Sequence, residues 1–330
     1  MTKDERISEI FYYFSEHTNI ESGRTVGRKI GTVQEILVRK FLLTDPRVMR
    51  SIVYEPRVQG RSRATHKVEF VFYQPLEAVA VAQGGTANFE AFTGLHVTVE
   101  RAPVANHGSY AKVTLAFADE RGACLRLPVS NVHQLPDRDG RKYGITVSLP
   151  RPNVTEVCLL DMTSPVASIE SKRVGAQRFK DSDKLGAGIQ TIEKAKQASL
   201  VAVDFDLRFN DTLLCQSSPP GPRKYKSIVA LGNGVHWTDH DLAVLETYVD
   251  HTYLVRDEAI IRYAEYIRGL ALTAGEDFFP FFMSYFNGMT KTPPDTFKVT
   301  ADDFQPMRPE DSPPLLDVVA AQLQSFPMRQ

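Results

Sequence analysis

Two opposite charges, Glu170 and Lys172, stand at alternate positions of the segment 166–174, whose apolar residues are Val166, Ala167, Ile169 and Val174. The apolar residues around them predict a β-strand, and residues two apart on a strand point to the same face, about 7 Å apart. A carboxylate and an ammonium group inside a protein destabilise the folded state unless they form an ion pair or take part in binding or catalysis. The pair is therefore either a structural ion pair on the sheet or part of a catalytic site.

The catalytic interpretation is metal-dependent hydrolysis of a phosphodiester. Carboxylate oxygens are the ligands that Mg²⁺ prefers, and the bound ion polarises a phosphoryl oxygen and acidifies a water. Lys172 would orient or deprotonate that water and offset the negative charge of the transition state. One carboxylate is a poor magnesium site, so a second is needed. Glu69, in the strand-like segment 66–73, and Asp161 are the two alternatives, and Glu35 is a supporting helical carboxylate.

The elements that would position these residues follow from the apolar patterns. Thr32 and Glu35 form a near capping box, which predicts a helix over residues 33–43. Alternation of apolar and polar residues predicts strands. The expected order is the helix, strands near 50–58 and 66–73, a β-rich segment 74–160, the strand at 166–174, a helix, an inner strand near 199–208 and further helices.

This order, with an E-x-K pair on the third strand, resembles the PD-(D/E)XK nuclease superfamily, whose best-known members are restriction endonucleases. The resemblance covers residues 32–73 and 161–208. It implies a metal bound by Glu170 and by an acidic residue of the second strand, Glu69 here. The family usually has Asp at that position, and the segment between the second and third strands is unusually long in this chain.

The resulting expectation is an α/β fold with a restriction-endonuclease-like αβββαβ core and a mixed central sheet. Its nuclease core comprises residues 1–73 and 161–210. Residues 74–160 form a β-rich insertion that we expect to recognise DNA, and residues 211–330 form a helical region that packs on the core or makes a dimer interface. In the insertion, the segment 131–142 carries side chains suited to base contacts: Asn131, His133, Gln134, Arg138, Asp139, Arg141 and Lys142.

Basic residues concentrate near the expected site, although the formal net charge of the whole chain is only −1. Residues 20–67 hold eleven Lys or Arg and four acidic residues. A local positive field binds phosphate whatever the total charge is. Three basic segments are candidates for DNA contacts through Arg24, Arg28, Lys29, Arg57, Arg61, Arg63, Lys67, Arg223, Lys224 and Lys226.

The preferred function is therefore a Mg²⁺-dependent endonuclease that cuts double-stranded DNA, as restriction enzymes do. Because both strands must be cut, we expect a homodimer. The alternatives are a nuclease of the same fold without sequence specificity, acting in phage defence or DNA repair, and a non-catalytic DNA-binding or scaffold protein. The three cysteines lack CxxC spacing and no segment is apolar enough to cross a membrane, which favours a cytoplasmic protein.

Overall fold

The structure is a computed structural model of the chain. It describes residues 23–54, 70–82, 84–101, 111–117, 132–151, 154–172, 226–232, 249–275, 297–308, 310 and 312–329. These residues form α-helices together with parallel and antiparallel strands, which confirms the expected mixed α/β class. Among them, no helix is both long enough and apolar enough to cross a bilayer.

The largest sheet has six strands in the order β1-β2-β10-β11-β12-β13. Antiparallel pairs join β1 to β2, β2 to β10 and β12 to β13, whereas β10, β11 and β12 are mutually parallel. The sheet is therefore mixed, and its central strands come from distant parts of the sequence. The strands are β1 (Ile52–Tyr54), β2 (Phe70–Phe72), β10 (Ala167–Lys172), β11 (Lys226–Gly232), β12 (His251–Val255) and β13 (Phe304–Pro306).

Helices cover one face of this sheet. They are α1 (Gly23–Leu42), α2 (Pro46–Ser51), α3 (Asp257–Ala274) and α4 (Leu315–Ala320), and a 3₁₀ turn spans Ala301–Asp303. The apolar face of α1 carries Val33, Leu37 and Phe41 at helical spacing, and all three are buried. They share one core with Ile169 of β10 and Tyr253 of β12.

Two further sheets are built mainly from residues 74–161. The five-stranded sheet has the order β14-β3-β9-β8-β7, and the three-stranded sheet has the order β4-β5-β6. A second apolar core lies between them. Their strands are β3 (Gln74–Val81), β4 (Thr86–Asn88), β5 (Leu95–Arg101), β6 (Ala111–Phe117), β7 (His133–Gln134), β8 (Tyr143–Arg151), β9 (Val154–Asp161) and β14 (Met328–Arg329).

The five-stranded sheet packs on the face of the six-stranded sheet that lies opposite the described helices, at the β1–β2 side. Val53 and Val71 of the larger sheet share a third core with Cys158 and Leu160 of β9. Burial raises the pKa of the Cys158 thiol and keeps it neutral, so this cysteine behaves as an apolar side chain here. The molecule is therefore layered as three-stranded sheet, five-stranded sheet, six-stranded sheet and helices.

A buried ion pair reinforces this packing. The Arg50 guanidinium donates two hydrogen bonds to the Glu156 carboxylate, from Nε to Oε2 at 2.7 Å and from Nη2 to Oε1 at 3.0 Å. The two side chains are 13% and 8% exposed. A bidentate pair of this kind fixes orientation as well as distance, so it sets how α2 meets β9.

Two sequence-based expectations differ from the structure. The helix predicted over 33–43 begins at Gly23, because apolar residues continue at helical spacing through the expected glycine-bearing loop. The helical prediction for 211–330 is wrong for its described part, which supplies β11, β12 and β13 as well as α3 and α4. The strand predicted near 199–208 lies outside the described residues; the described neighbours of β10 are β2 and β11.

Candidate functional site

Glu170 lies near the middle of the six-stranded sheet. Its strand β10 is antiparallel to β2 and parallel to β11, and Glu170 is in register with Val229 of β11. The residue is 3% exposed. The expected strand with a carboxylate inside it is therefore present, and Lys172, in register with Leu231, is its last residue.

The two faces of this sheet differ in chemistry. Ala167 and Ile169 of β10 join the core under the helices, so alternation puts Ser168 and Glu170 on the opposite face. Ser168 is in register with Val71, which packs towards the five-stranded sheet. The face that bears Glu170 is thus the one opposite the described helices.

A third buried polar residue, Thr252, shares that face. Thr252 of β12 is in register with Val229 of β11, which is in register with Glu170. Its neighbour Tyr253 points into the helical core, so Thr252 points the other way. The sequence analysis missed this residue, because the segment around it was interpreted as helix. The β-branched and aromatic residues of His251–Val255 were the available strand signal.

Of the two alternatives for the second metal ligand, the structure describes Asp161 but not Glu69. Glu69 lies outside the described residues. It directly precedes Phe70, which pairs with Ile169, the residue before Glu170. Asp161 ends β9 in the five-stranded sheet, and its Oδ1 accepts a hydrogen bond from the Thr163 backbone N–H at 2.9 Å. An aspartate in that position closes a turn.

Glu35 lies on α1, which packs on the opposite face of the sheet from Glu170. The residue before it, Gln34, is fully buried and donates from Nε2 to the Ala230 carbonyl of β11 at 2.9 Å. Glu35 itself is half-buried. The structure therefore does not bring the predicted helical carboxylate to the face that carries Glu170.

The structure describes four of the ten basic residues that we expected to contact DNA. Arg24, Arg28 and Lys29 lie within α1 and not in a loop as expected. Lys226 is the first residue of β11, half-buried, at a register position that belongs to the helix-covered face. The other candidates lie outside the described residues: Arg57, Arg61, Arg63, Lys67, Arg223 and Lys224.

The segment expected to contact bases forms a hairpin between β7 and β8. Asp139 and Gly140 both have positive φ, at 50° and 72°, as the tight turn requires. The Arg138 guanidinium lies 3.8 Å from the centre of the Phe92 ring and donates to the Thr93 carbonyl at 2.9 Å. Arg138 thus anchors the hairpin to the neighbouring sheet, and this role differs from the expected base contact.

Within the described ranges, no group of three or more His, Cys, Asp or Glu side chains is arranged to hold a metal ion. The chemistry of the Glu170 face nevertheless fits a hard cation, because it combines a carboxylate with the hydroxyl-bearing side chains Ser168 and Thr252. A second carboxylate has to come from beyond the described residues, and Glu69 satisfies that condition.

Comparison with known proteins adds no relative. No protein-family model matches the chain, and neither the curated proteins nor the solved structures contain a significant match. The functional argument therefore rests on the sheet and on the residues it brings together.

Proposed function

We propose that this protein is a Mg²⁺-dependent endonuclease of the PD-(D/E)XK type that cuts double-stranded DNA. The observation that carries the proposal is the position of Glu170, a buried carboxylate on the central strand of a mixed sheet, two residues before Lys172. Burial alone does not assign that role, since structural acids are buried too. The support is that this carboxylate and Lys172 stand on one strand that is paired along both edges.

The strand order supports this assignment. A helix is followed by β1 and β2, and β2 is followed in the sheet by the E-x-K strand β10; these three strands are antiparallel. The next strands, β11 and β12, are parallel to β10. The sequence resemblance implied the order αβββαβ with a mixed central sheet, although it assigned the last strand to the segment near 199–208.

Register favours Glu69 over Asp161 as the second ligand. Opposite residues of an antiparallel pair point to the same face, with Cβ atoms about 5 Å apart. The last described pair is Phe70 with Ile169; in the sequence, Glu69 directly precedes Phe70 and Glu170 directly follows Ile169. Asp161 belongs to another sheet and already closes a turn. We therefore assign the metal to Glu69 and Glu170.

Each residue then has a distinct task. Bound Mg²⁺ supplies Lewis acidity towards the phosphoryl oxygen and the attacking water. Glu69 and Glu170 hold the ion, and the rigid pairing of β10 with both neighbours keeps Glu170 in place. Lys172 orients the water or takes its proton and offsets the charge that develops on the phosphate.

Cleavage of phage DNA by purified protein tests the proposal, with Mg²⁺ in one reaction and EDTA in the other. We expect Mg²⁺-dependent fragments from the wild type and a loss of about 10²- to 10⁴-fold in rate for Lys172→Ala, the usual contribution of a group that handles the proton. Arg256→Ala is the matched control, because it removes a half-exposed cation outside the site. Equal rates for the wild type and Lys172→Ala would reject the role of Lys172.

Two carboxylate variants test the ligand assignment. Glu69→Gln should abolish cleavage as fully as Glu170→Gln does, whereas Asp161→Asn should retain most of the activity. The opposite result, loss in Asp161→Asn and retention in Glu69→Gln, would transfer the second ligand to Asp161. Thermal unfolding of each variant establishes that the protein tested is folded.

The same reactions separate the rival functions. Discrete fragments indicate a restriction enzyme, and a continuous smear indicates a nuclease without sequence specificity. The anchoring of Arg138 to Phe92 and Thr93 favours the second, since that arginine is engaged inside the protein. Duplex binding without cleavage under any metal condition would indicate a non-catalytic DNA-binding protein. Sedimentation with and without DNA tests the proposed homodimer.

A further inference from the structure

Thr252 presents a hydroxyl that the fold does not use. The residue is 7% exposed, and its Oγ1 is buried without a hydrogen-bond partner. A buried polar atom without a partner destabilises the folded state, and valine would have the same shape without that cost. The choice of threonine therefore calls for a partner that binds from outside the chain.

The position of the Thr252 hydroxyl limits the kinds of partner that could bind it. Thr252 and Glu170 lie in one row across the sheet, on the same face, separated by the single strand β11. Neighbouring strands are about 4.8 Å apart, so the two Cα atoms are separated by about 10 Å. That separation is too large for both side chains to bind one ion directly, but a cation together with one of its waters would span it.

Mg²⁺ loses its hydration water reluctantly and in proteins usually keeps several waters while it binds one or two carboxylates. We propose that Thr252 is a positioning residue for the divalent cation, and that its Oγ1 accepts a hydrogen bond from a water bound to the ion at Glu170. This inference rests on the proposed metal site and extends it to a third strand. The hydroxyl orients a bound water and does not itself touch the ion.

The burial of this face suits a small hydrated ion better than a nucleic-acid strand as the direct partner of Thr252. Ser168, Glu170 and Thr252 are all more than nine-tenths buried. A bridging water is nearly as favourable as a direct hydrogen bond and satisfies polar groups that are too far apart to meet. Partners of metal ligands at this distance typically change metal affinity or activity by about 10- to 100-fold.

Calorimetric titration of Mn²⁺ into EDTA-treated, dialysed protein tests the inference without DNA. We expect Thr252→Val to weaken Mn²⁺ binding about tenfold, at the lower end of that range, because one hydrogen bond to a bound water is lost. Thr252→Ser keeps the hydroxyl and should restore most of the affinity. Thermal unfolding of Thr252→Val without metal should occur at the wild-type temperature or above it, since an unpaired hydroxyl has been removed.

Ser148→Ala is the matched control, because Ser148 in the five-stranded sheet also has a buried Oγ without a partner. We expect it to leave Mn²⁺ affinity unchanged. Wild-type affinity in Thr252→Val would overturn the inference and leave the nuclease proposal intact. Failure of the wild type to bind Mn²⁺, or wild-type affinity in Glu170→Gln, would instead reject the metal site itself and this inference with it.

Discussion

The five-stranded and six-stranded sheets both bury carboxylates, but they surround them differently. In the five-stranded sheet, Glu156 is held by Arg50, and Glu77 is held by Arg329 and by two backbone N–H groups. In the six-stranded sheet, Glu170 shares its face with the hydroxyl-bearing residues Ser168 and Thr252. Where an arginine from another element pairs with a buried carboxylate, the ion pair holds the two elements together, and the acid has a structural role. Under the proposed function, the hydroxyl-bearing residues on the Glu170 face would instead surround a hydrated ion.

This difference shows that burial alone does not identify a catalytic acid. Glu77 is as deeply buried as Glu170, yet it ties the turn between β4 and β5 to β3 through the N–H groups of Glu90 and Ala91. Mutations in the five-stranded sheet should therefore act on stability. Mutations in the Glu170 row should act on metal binding and cleavage.

Among the variants that test this comparison, Arg50→Ala should change the free energy of unfolding most. It leaves the Glu156 carboxylate buried without its counter-charge, which should lower the free energy of unfolding by about 3–5 kcal/mol. Denaturant titration measures the loss. Arg47→Ala is the matched control on the same helix: its ion pair with Asp45 is exposed on the arginine side, so the loss should be below about 1 kcal/mol. Equal losses of stability in the two variants would contradict a structural role for the Arg50–Glu156 ion pair.

A smaller effect is expected for Arg329→Ala. Its Nε lies 2.8 Å from Oε1 of Glu77, and its Nη1 donates to Oε1 of Glu90 at 2.7 Å. Removing it should cost about 1–3 kcal/mol, because the Glu77 carboxylate stays buried. Glu90→Gln should cost less, since that side chain is 82% exposed. A larger loss in Glu90→Gln than in Arg329→Ala would break the assignment of Glu77 as the buried partner.

The smallest effect concerns acid sensitivity. Burial lowers the pKa of His251 on β12, the neighbouring Lys226 lowers it further, and Asp250 opposes the shift. As the pH falls below about 6.5, the unfolded chain takes up the proton first, so the folded state loses stability until the lowered pKa is passed. His251→Asn should flatten the fall in melting temperature between about pH 7 and pH 5. An unchanged slope would show that His251 contributes nothing to it.

Some elements could be predicted from sequence because their signals are local. The apolar run around Glu170 predicts a strand, and the period of 257–274 predicts a helix; both are present. The segment 249–255 was misread, because apolar residues upstream continue a helical period into it. Only its pairing with β11 on one side and with β13 on the other shows that it is β12.

The arrangement of the candidate site depends on which strands are neighbours in the sheet, and sequence patterns do not reveal this. Which strand lies beside β10 is decided by contacts between segments far apart in the chain, and the strand near 199–208 had as good an apolar pattern as β11. Thr252 illustrates the same limit. It becomes a candidate only when the register across three strands is known, and nothing in its own sequence neighbourhood marks it.

The connection from β2 to β10 has a practical consequence. Phe72 and Ala167, which border the inserted sheets in sequence, face each other in the antiparallel pair. The insertion therefore leaves and re-enters the larger sheet at one place, as the loop of a hairpin would. We expect that segments of very different size can be exchanged at this junction while β10 keeps its alignment, so that what the protein recognises can diversify independently of the strand that carries Glu170.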